Sequence, residues 1–316
     1  KVKNHVLIIG AGILDVLVCP VKEEVFQKGS VPVDTLKVST GGDGLNEATV
    51  LARLKREEKS VRLLTLLGED EAGEMIWKHC EKEGICMDLS VREKEICTGV
   101  NVVLVKEDGE RCFFTNPSSS LRRLSIKHMP SRFPKDVGIL CFASIFVSPK
   151  FGGKELAELF SRAKKQGILI CADMTKCKNQ ETTEDIKEAL ALLDYLFANK
   201  EEAGMVTGKE TIEEMAEALY ACGVKNVIIK CGAKGCYVRN REIGKQFPAV
   251  LGKACVDTTG AGDSFAGGFL YALSEGKDFV ECIRWGNVCG SLAVEAVGAS
   301  AGVTSKEKAE ERMRNL

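Results

Sequence analysis

Histidine is scarce, basic residues never gather into a block, and apolar runs stay short; each shortage removes a class of function. The imidazoles are His5, His79 and His128, far apart in the chain, so a histidine-built zinc site or a Ser-His-Asp triad has little to draw on. The 44 basic and 45 acidic residues are interspersed and leave a formal net charge of -1, and no stretch is equipped to neutralise a run of nucleic-acid phosphates. No segment approaches the roughly 18 uninterrupted apolar residues of a membrane span. The basic start and apolar run of Lys1 to Pro20 imitate a signal peptide, but Gly10, Gly12 and Asp15 interrupt the run and no small-x-small cleavage site follows. A cytoplasmic protein with neither membrane nor nucleic acid as partner is expected. Aromatic residues make up 6% of the chain, and no pair suited to stacking on a base stands out.

Cysteine is plentiful, with fourteen residues. Cys-x-x-Cys pairs are absent, and Cys141, Cys171 and Cys289 sit inside apolar runs, a pattern of reduced, buried thiols rather than a disulfide framework. The 316 residues exceed a typical single domain, yet α/β chains of this size fold around one continuous sheet, and a single domain over 1–316 is expected.

Short apolar runs at His5 to Gly10, Val61 to Leu67, Gly138 to Ala143, Gly167 to Ala172, Asp194 to Ala198 and Val227 to Lys230 alternate with helical patterns. The helices are expected at Asn46 to Arg56, Glu71 to Glu83, Lys154 to Gln166, Thr211 to Cys222, Gly262 to Glu275 and Asp278 to Val297. This alternation predicts an α/β fold with a mainly parallel central sheet covered by helices. Val16 to Ser39 and Ile96 to Thr115 break the rhythm: they are rich in Val, Thr and Phe and carry turn signals at Lys28-Gly29-Ser30 and Asp108-Gly109. They read as a small β lid formed by insertions at about 14–40 and 96–118, or else as an extra edge of the main sheet.

Gly10-Ala11-Gly12 after an apolar strand begins like a dinucleotide fingerprint, but Asp15 stands at the third glycine position and strand residues follow where a helix belongs. A tight strand-to-lid turn fits better. The segment Asp257-Thr258-Thr259-Gly260-Ala261-Gly262-Asp263-Ser264-Phe265 is different, because a helix-patterned apolar stretch follows it at once. Small residues let a ligand approach the backbone, and the first N–H groups of a helix lack intrahelical partners, so Gly260, Ala261 and Gly262 form a candidate anion hole. Asp263 on the same turn is placed to take a proton from a hydroxyl as that oxygen attacks a phosphoryl group. A simple helix cap would need neither the small residues nor the second acid, Asp257.

This segment resembles the C-terminal signature of the ribokinase/phosphofructokinase-B family of sugar and nucleoside kinases. Gly41-Gly42-Asp43-Gly44-Leu45-Asn46-Glu47-Ala48 resembles that family's N-terminal signature, and Asn199-Lys200-Glu201-Glu202 its Asn-x-x-Glu motif. The resemblance runs from about Val6 to Val303 and implies a ribokinase-like three-layer fold with ATP and Mg²⁺ as cofactors. It further implies Gly42, Asp43 and Asn46 on the substrate side, with Asp15 holding sugar hydroxyls and Ser144 after the central strand. Asn199 and Glu202 are implied to organise water and Mg²⁺. Lys230, Gly232, Ala233 and Gly235 would lie beside the nucleotide, and Asn287 beside its base. Asp257 and Thr259 would border a monovalent cation such as K⁺, and the lid of some relatives pairs into a homodimer.

Carboxylates accept hydrogen bonds from vicinal hydroxyls and repel phosphate, so Asp15 and Asp43 favour a small neutral carbohydrate over a phosphosugar. Arg111, Arg122 or Arg123 from the lid side would reverse that preference if they faced the pocket. Ile13, and the absence of an acid in Ala143-Ser144-Ile145, argue against ribose itself and leave a ketose, another sugar or a sugar acid. A nucleoside kinase of the same family and a non-catalytic sugar-binding regulator are the alternatives.

Overall fold

The computed structural model describes residues 4–107 and 111–314; the Asp108-Gly109 turn lies outside the described residues. An eight-stranded sheet runs in the order Gly244–Phe247, Cys236–Arg239, Asn226–Lys230, Tyr195–Asn199, Leu169–Met174, Val137–Ile145, His5–Ile9 and Val61–Leu64. Pairing is parallel from Val61–Leu64 through Asn226–Lys230 and antiparallel for the two outermost strands on the other side. Every residue of the central strand Val137–Ile145 is buried, as a parallel strand covered on both faces requires. Successive side chains leave a strand on opposite faces. Val6 and Ile8 therefore pack in one core with residues of helices Asp43–Lys55, Ala261–Ser274 and Phe279–Ala293, while Leu7 and Ile9 pack with those of Gly153–Lys164 and Ile212–Ala221.

A separate four-stranded sheet has the order Thr35–Gly41, Ile13–Cys19, Val100–Val105 and Arg111–Thr115. Being separate, it rules out an extra edge of the main sheet. The chain enters it through Gly10-Ala11-Gly12, where the Gly10 N–H donates to the Leu64 carbonyl (3.2 Å) and the Ala11 carbonyl accepts from Leu45 N–H (3.0 Å). No helix follows these glycines, and the turn reading holds. A Cβ on Gly42, whose φ is +92°, would lie 2.6 Å from the Ala11 carbonyl oxygen. Glycine is what allows the turn at Gly41-Gly42 to rest on the sheet entry.

Several boundaries differ from expectation. The run Val61 to Leu67 is two strands, because Thr65 turns its hydroxyl to accept from Gly12 N–H (3.1 Å) and Leu66–Gly68 pairs with Val91–Glu93 instead. The helix expected to reach Val297 stops at Ala293. Within Val16 to Ser39, residues Val25–Lys28 form a short helix closed by Gly29 at φ +75°. Helices Lys200–Thr207 and Lys306–Arg314 bury little beyond Ala203, Val206 and Ala309, so they show no apolar period to read. All fourteen cysteines are free; Cys141, Cys171 and Cys289 are buried, but Cys97, Cys112 and Cys255 are exposed rather than buried. No helix among the described residues is long and apolar enough to cross a membrane.

Candidate active site

Parallel strands all point their C-terminal ends to one side, and a cleft forms there. Asp173, Asn199 and Lys230 stand at or near those ends of adjacent strands and line a cavity of about 610 Å³. Ala261, Gly262 and Asp263, at the start of helix Ala261–Ser274, form part of the same wall.

The turn before that helix has a fixed shape. Gly260 sits at φ +72°, and a Cβ there would fall 2.0 Å from the Ala299 carbonyl oxygen. The Ala261 N–H already donates to the Thr258 carbonyl (3.3 Å) and the Ser264 N–H to the Gly260 carbonyl (2.8 Å). Among the described residues, the N–H groups of Gly260, Gly262 and Asp263 have no protein acceptor. Of the three residues expected to form an anion hole, Gly260 and Gly262 keep open amides and Ala261 is engaged, while the neighbouring Asp263 amide is also open. A Cβ on Gly262 would lie 3.1 Å from Lys230 Nζ, so the space over this glycine is bounded by open amides and an ammonium. That chemistry fits a phosphate.

Asn46, on helix Asp43–Lys55, donates from Nδ2 to Asp263 Oδ2 at 2.8 Å. Residues from the two signature segments, distant in sequence, are thereby joined. Burial, with repulsion from Asp43 and Asp173, pushes the Asp263 carboxyl up to about 8 against the opposing Asn46 hydrogen bond and Lys230 charge. Asp43 accepts a hydrogen bond from the Ser144 hydroxyl. Ser144 holds φ +73° at the end of the central strand; a side chain at a positive φ carries backbone strain. Asp15 and Gly42 stand apart from the main cleft wall. Asp15 lies over Gly41, where a Cβ would be 2.1 Å from its Oδ2, and burial followed by repulsion from Asp43 pushes its carboxyl up to about 6.

Lys230 Nζ lies 2.9 and 2.7 Å from the two Asp173 oxygens. Burial disfavours the ammonium, but Asp173 and Glu202 outweigh that and hold it charged. Asn199 and Glu202 close a reciprocal capping box: Asn199 Oδ1 accepts from Glu202 N–H (2.8 Å) and Glu202 Oε2 from Asn199 N–H (2.7 Å). They therefore stabilise a helix start while facing the cleft. Burial pushes the Glu202 carboxyl up to about 7, with Lys230 pulling it down and Asp173 pushing it up. No cluster of three or more His, Cys, Asp or Glu suited to a metal occurs among the described residues. Hard oxygen donors at Asn199, Glu202 and Asp173 nonetheless suit a divalent ion held mainly by phosphate and water.

Gly232, Ala233, Gly235 and Asn287 line the far end of the cavity together with Val250 and Val294. Asn287 Nδ2 donates to the Pro248 carbonyl at 3.3 Å. Asp257 and Thr259 do not have their oxygens open to a cation, since Arg111 bonds to both side chains.

Sequence reasoning missed Asp173 and Glu47. Asp173 is the penultimate residue of the otherwise apolar strand Leu169–Met174, and a lone acid near the C-terminal end of a parallel strand was the signal available. Glu47 is wholly buried next to Asn46, and its Oε1 lacks a partner; it lies inside the Gly41-to-Ala48 segment, but an acid on a helix pattern gives no sign of such burial.

The family model described as pfkB family carbohydrate kinase matches residues 3–306. A ribokinase of Haemophilus influenzae is 27% identical, with 86% of each chain covered. A fructokinase of Vibrio alginolyticus is 26% identical, covering 90% of this chain and 96% of the relative. The solved structure of Arabidopsis thaliana ribokinase complexed with ribose and ATP overlays with a TM-score of 0.81 at 24% identity, covering 98% of both chains.

Proposed function

The chain belongs to the pfkB family of carbohydrate kinases, and from that premise we propose that it transfers the γ-phosphoryl group of ATP to a hydroxyl of a small neutral carbohydrate, with Asp263 as the base. One observation carries the reading: the Asp263 carboxylate shares a helix turn with open amides that face the Lys230 ammonium. The amides of Gly260, Gly262 and Asp263 hold phosphate oxygens, and Lys230 offsets charge that builds during transfer. Asn46 orients Asp263, whose carboxylate accepts the acceptor's proton as the new O–P bond forms and the bond to the nucleotide's leaving oxygen breaks. Asn199 and Glu202 would hold a Mg²⁺ ion, which when bound would offset the repulsion between the phosphates and the cleft carboxylates. The end of the cavity near Gly232, Ala233, Gly235 and Asn287 takes the nucleoside part of ATP. The small sheet acts as a lid that excludes water.

A neutral acceptor follows from where the cations are. Asp15, Asp43 and Ser144 present oxygens to the substrate side, Arg111 is tied to Asp257, Arg122 donates to the Val147 carbonyl at 2.7 Å, and Arg123 is exposed. Relatives named for different sugars match this chain about equally well, so identity does not choose the sugar. The deciding test is a panel of ketoses, aldoses, sugar acids, their phosphates and nucleosides, scored by ADP formation with MgATP and by NMR of the product. The expected result is turnover with a neutral carbohydrate. Preference for a phosphosugar or a nucleoside would refute the acceptor class, and no turnover with any acceptor would favour a binding role.

A further inference from the structure

We propose that the Arg111 guanidinium, reaching from the small sheet to Asp257 and Thr259, takes the place of a monovalent cation beside the phosphate turn and makes nucleotide binding independent of potassium. The inference rests on the kinase reading above. The residues for which a cation is expected do not fit one. Asp257 Oδ1 accepts from Arg111 Nη2 at 2.8 Å and from Thr259 N–H at 2.9 Å, and Oδ2 accepts from Gly298 N–H at 3.1 Å. The Thr259 hydroxyl oxygen accepts from the other guanidinium arm. A cation entering here would have to displace a charged donor that binds both side chains at once.

The charge balance gives this arrangement a purpose. Asp43, Asp173, Glu202 and Asp263 line the cleft with Lys230, and Asp257, with its side chain 6% exposed, sits just ahead of the open amides. Left uncompensated, its carboxylate would repel an incoming polyphosphate. A guanidinium stays charged at any working pH and matches the paired acceptors of Asp257 and Thr259. Unlike a diffusible ion, it is attached to the strand Arg111–Thr115, in the sheet that also carries Asp15. Charge compensation at the phosphate turn therefore arrives with docking of the acceptor-side sheet. Arg111 is a positioning residue: it acts through Asp257 and the turn, not on the reacting atoms.

The test is calorimetric titration of MgADP into the full chain, in buffers with either potassium or tetramethylammonium as the sole monovalent cation. Wild-type protein is expected to bind equally in both. Arg111→Ala should bind roughly ten-fold or more weakly in tetramethylammonium, since the bared Asp257 carboxylate then repels the diphosphate, and recover in part with potassium. Arg111→Lys should keep most of the affinity. If Arg111→Ala does not fold, the wild-type comparison and the lysine variant carry the test. A wild-type requirement for potassium, or an alanine variant that binds normally or ignores potassium, overturns the inference and leaves the kinase reading standing. Absence of MgADP binding in every buffer overturns the nucleotide reading and this inference with it.

Discussion

Asp263 must be a carboxylate to take a proton, yet its surroundings favour the acid. Burial and the charges of Asp43 and Asp173 hold it at about 8 in the ligand-free chain, so the base form grows as pH rises toward that value. kcat/KM should accordingly climb along an acid limb ending near that value, because the ratio reflects groups in the unliganded state. Asp263→Asn keeps an oxygen that can accept from Asn46 Nδ2, so the fold should survive with a melting temperature close to wild type at pH of about 5, where Asp263 is itself protonated. Its kcat should fall by roughly 10² or more, the scale of a lost general base, and the residual rate should lose the acid limb. Turnover close to wild type would remove Asp263 from the mechanism.

The turn ahead of helix Ala261–Ser274 separates two glycines that look alike in sequence. At Gly260 a side chain meets positive φ and the rigid Ala299 carbonyl; Gly260→Ala should cost about 1–3 kcal/mol from backbone strain before any clash is added, measured by denaturant unfolding. At Gly262 the added methyl meets the movable end of Lys230. Gly262→Ala should leave unfolding free energy nearly unchanged but raise the nucleotide KM, since the methyl fills the space over the open amides; the reverse ranking would contradict the assigned geometry. What was legible beforehand follows the same division. The main strands and the helix Glu71–Glu83 were readable because their burial is periodic or continuous, and the signature segments were readable because glycine and acid spacing survives without coordinates. The Thr65 break, the Asp173–Lys230 pair and the engagement of Asp257 by Arg111 were not, since each is set by a partner distant in the chain. That the Asp263 N–H is open while the Ala261 N–H is engaged is a matter of which N–H a single turn consumes, below the reach of residue type.

Across the whole molecule, the small sheet leaves Leu36 72% and Phe114 62% exposed, and its register puts the two on one face, an apolar surface of the kind that marks a contact. Pairing of two copies through this sheet would cover it; Phe114→Lys should then shift sedimentation from dimer to monomer, and a wild-type chain monomeric at all concentrations would refute the pairing. The acids gathered at the cleft also set how stability depends on pH. Asp15, Glu202 and Asp263 are pushed up to about 6, 7 and 8, well above the roughly 4 of an unfolded carboxylate. The folded chain therefore binds more protons than the unfolded chain between those values, and stability falls as pH rises through them. Opposing this, Asp70, Glu83, Asp136 and Asp194 are held below their ordinary values: burial raises each, but it is outweighed jointly by Thr98 and Gly73 at Asp70, Arg53 with His79 and Lys82 at Glu83, Arg62 with His5 at Asp136, and Lys164 with Lys225 and Ile170 at Asp194. Their contribution is present above pH of about 4 and lost below it. The ligand-free protein should thus melt highest near pH of about 5 and progressively lower toward 8, and Asp263→Asn should flatten the upper part of that decline. A melting temperature that rises steadily from the acid side to pH of about 8 would mean the cleft acids are not carrying the protons assigned to them.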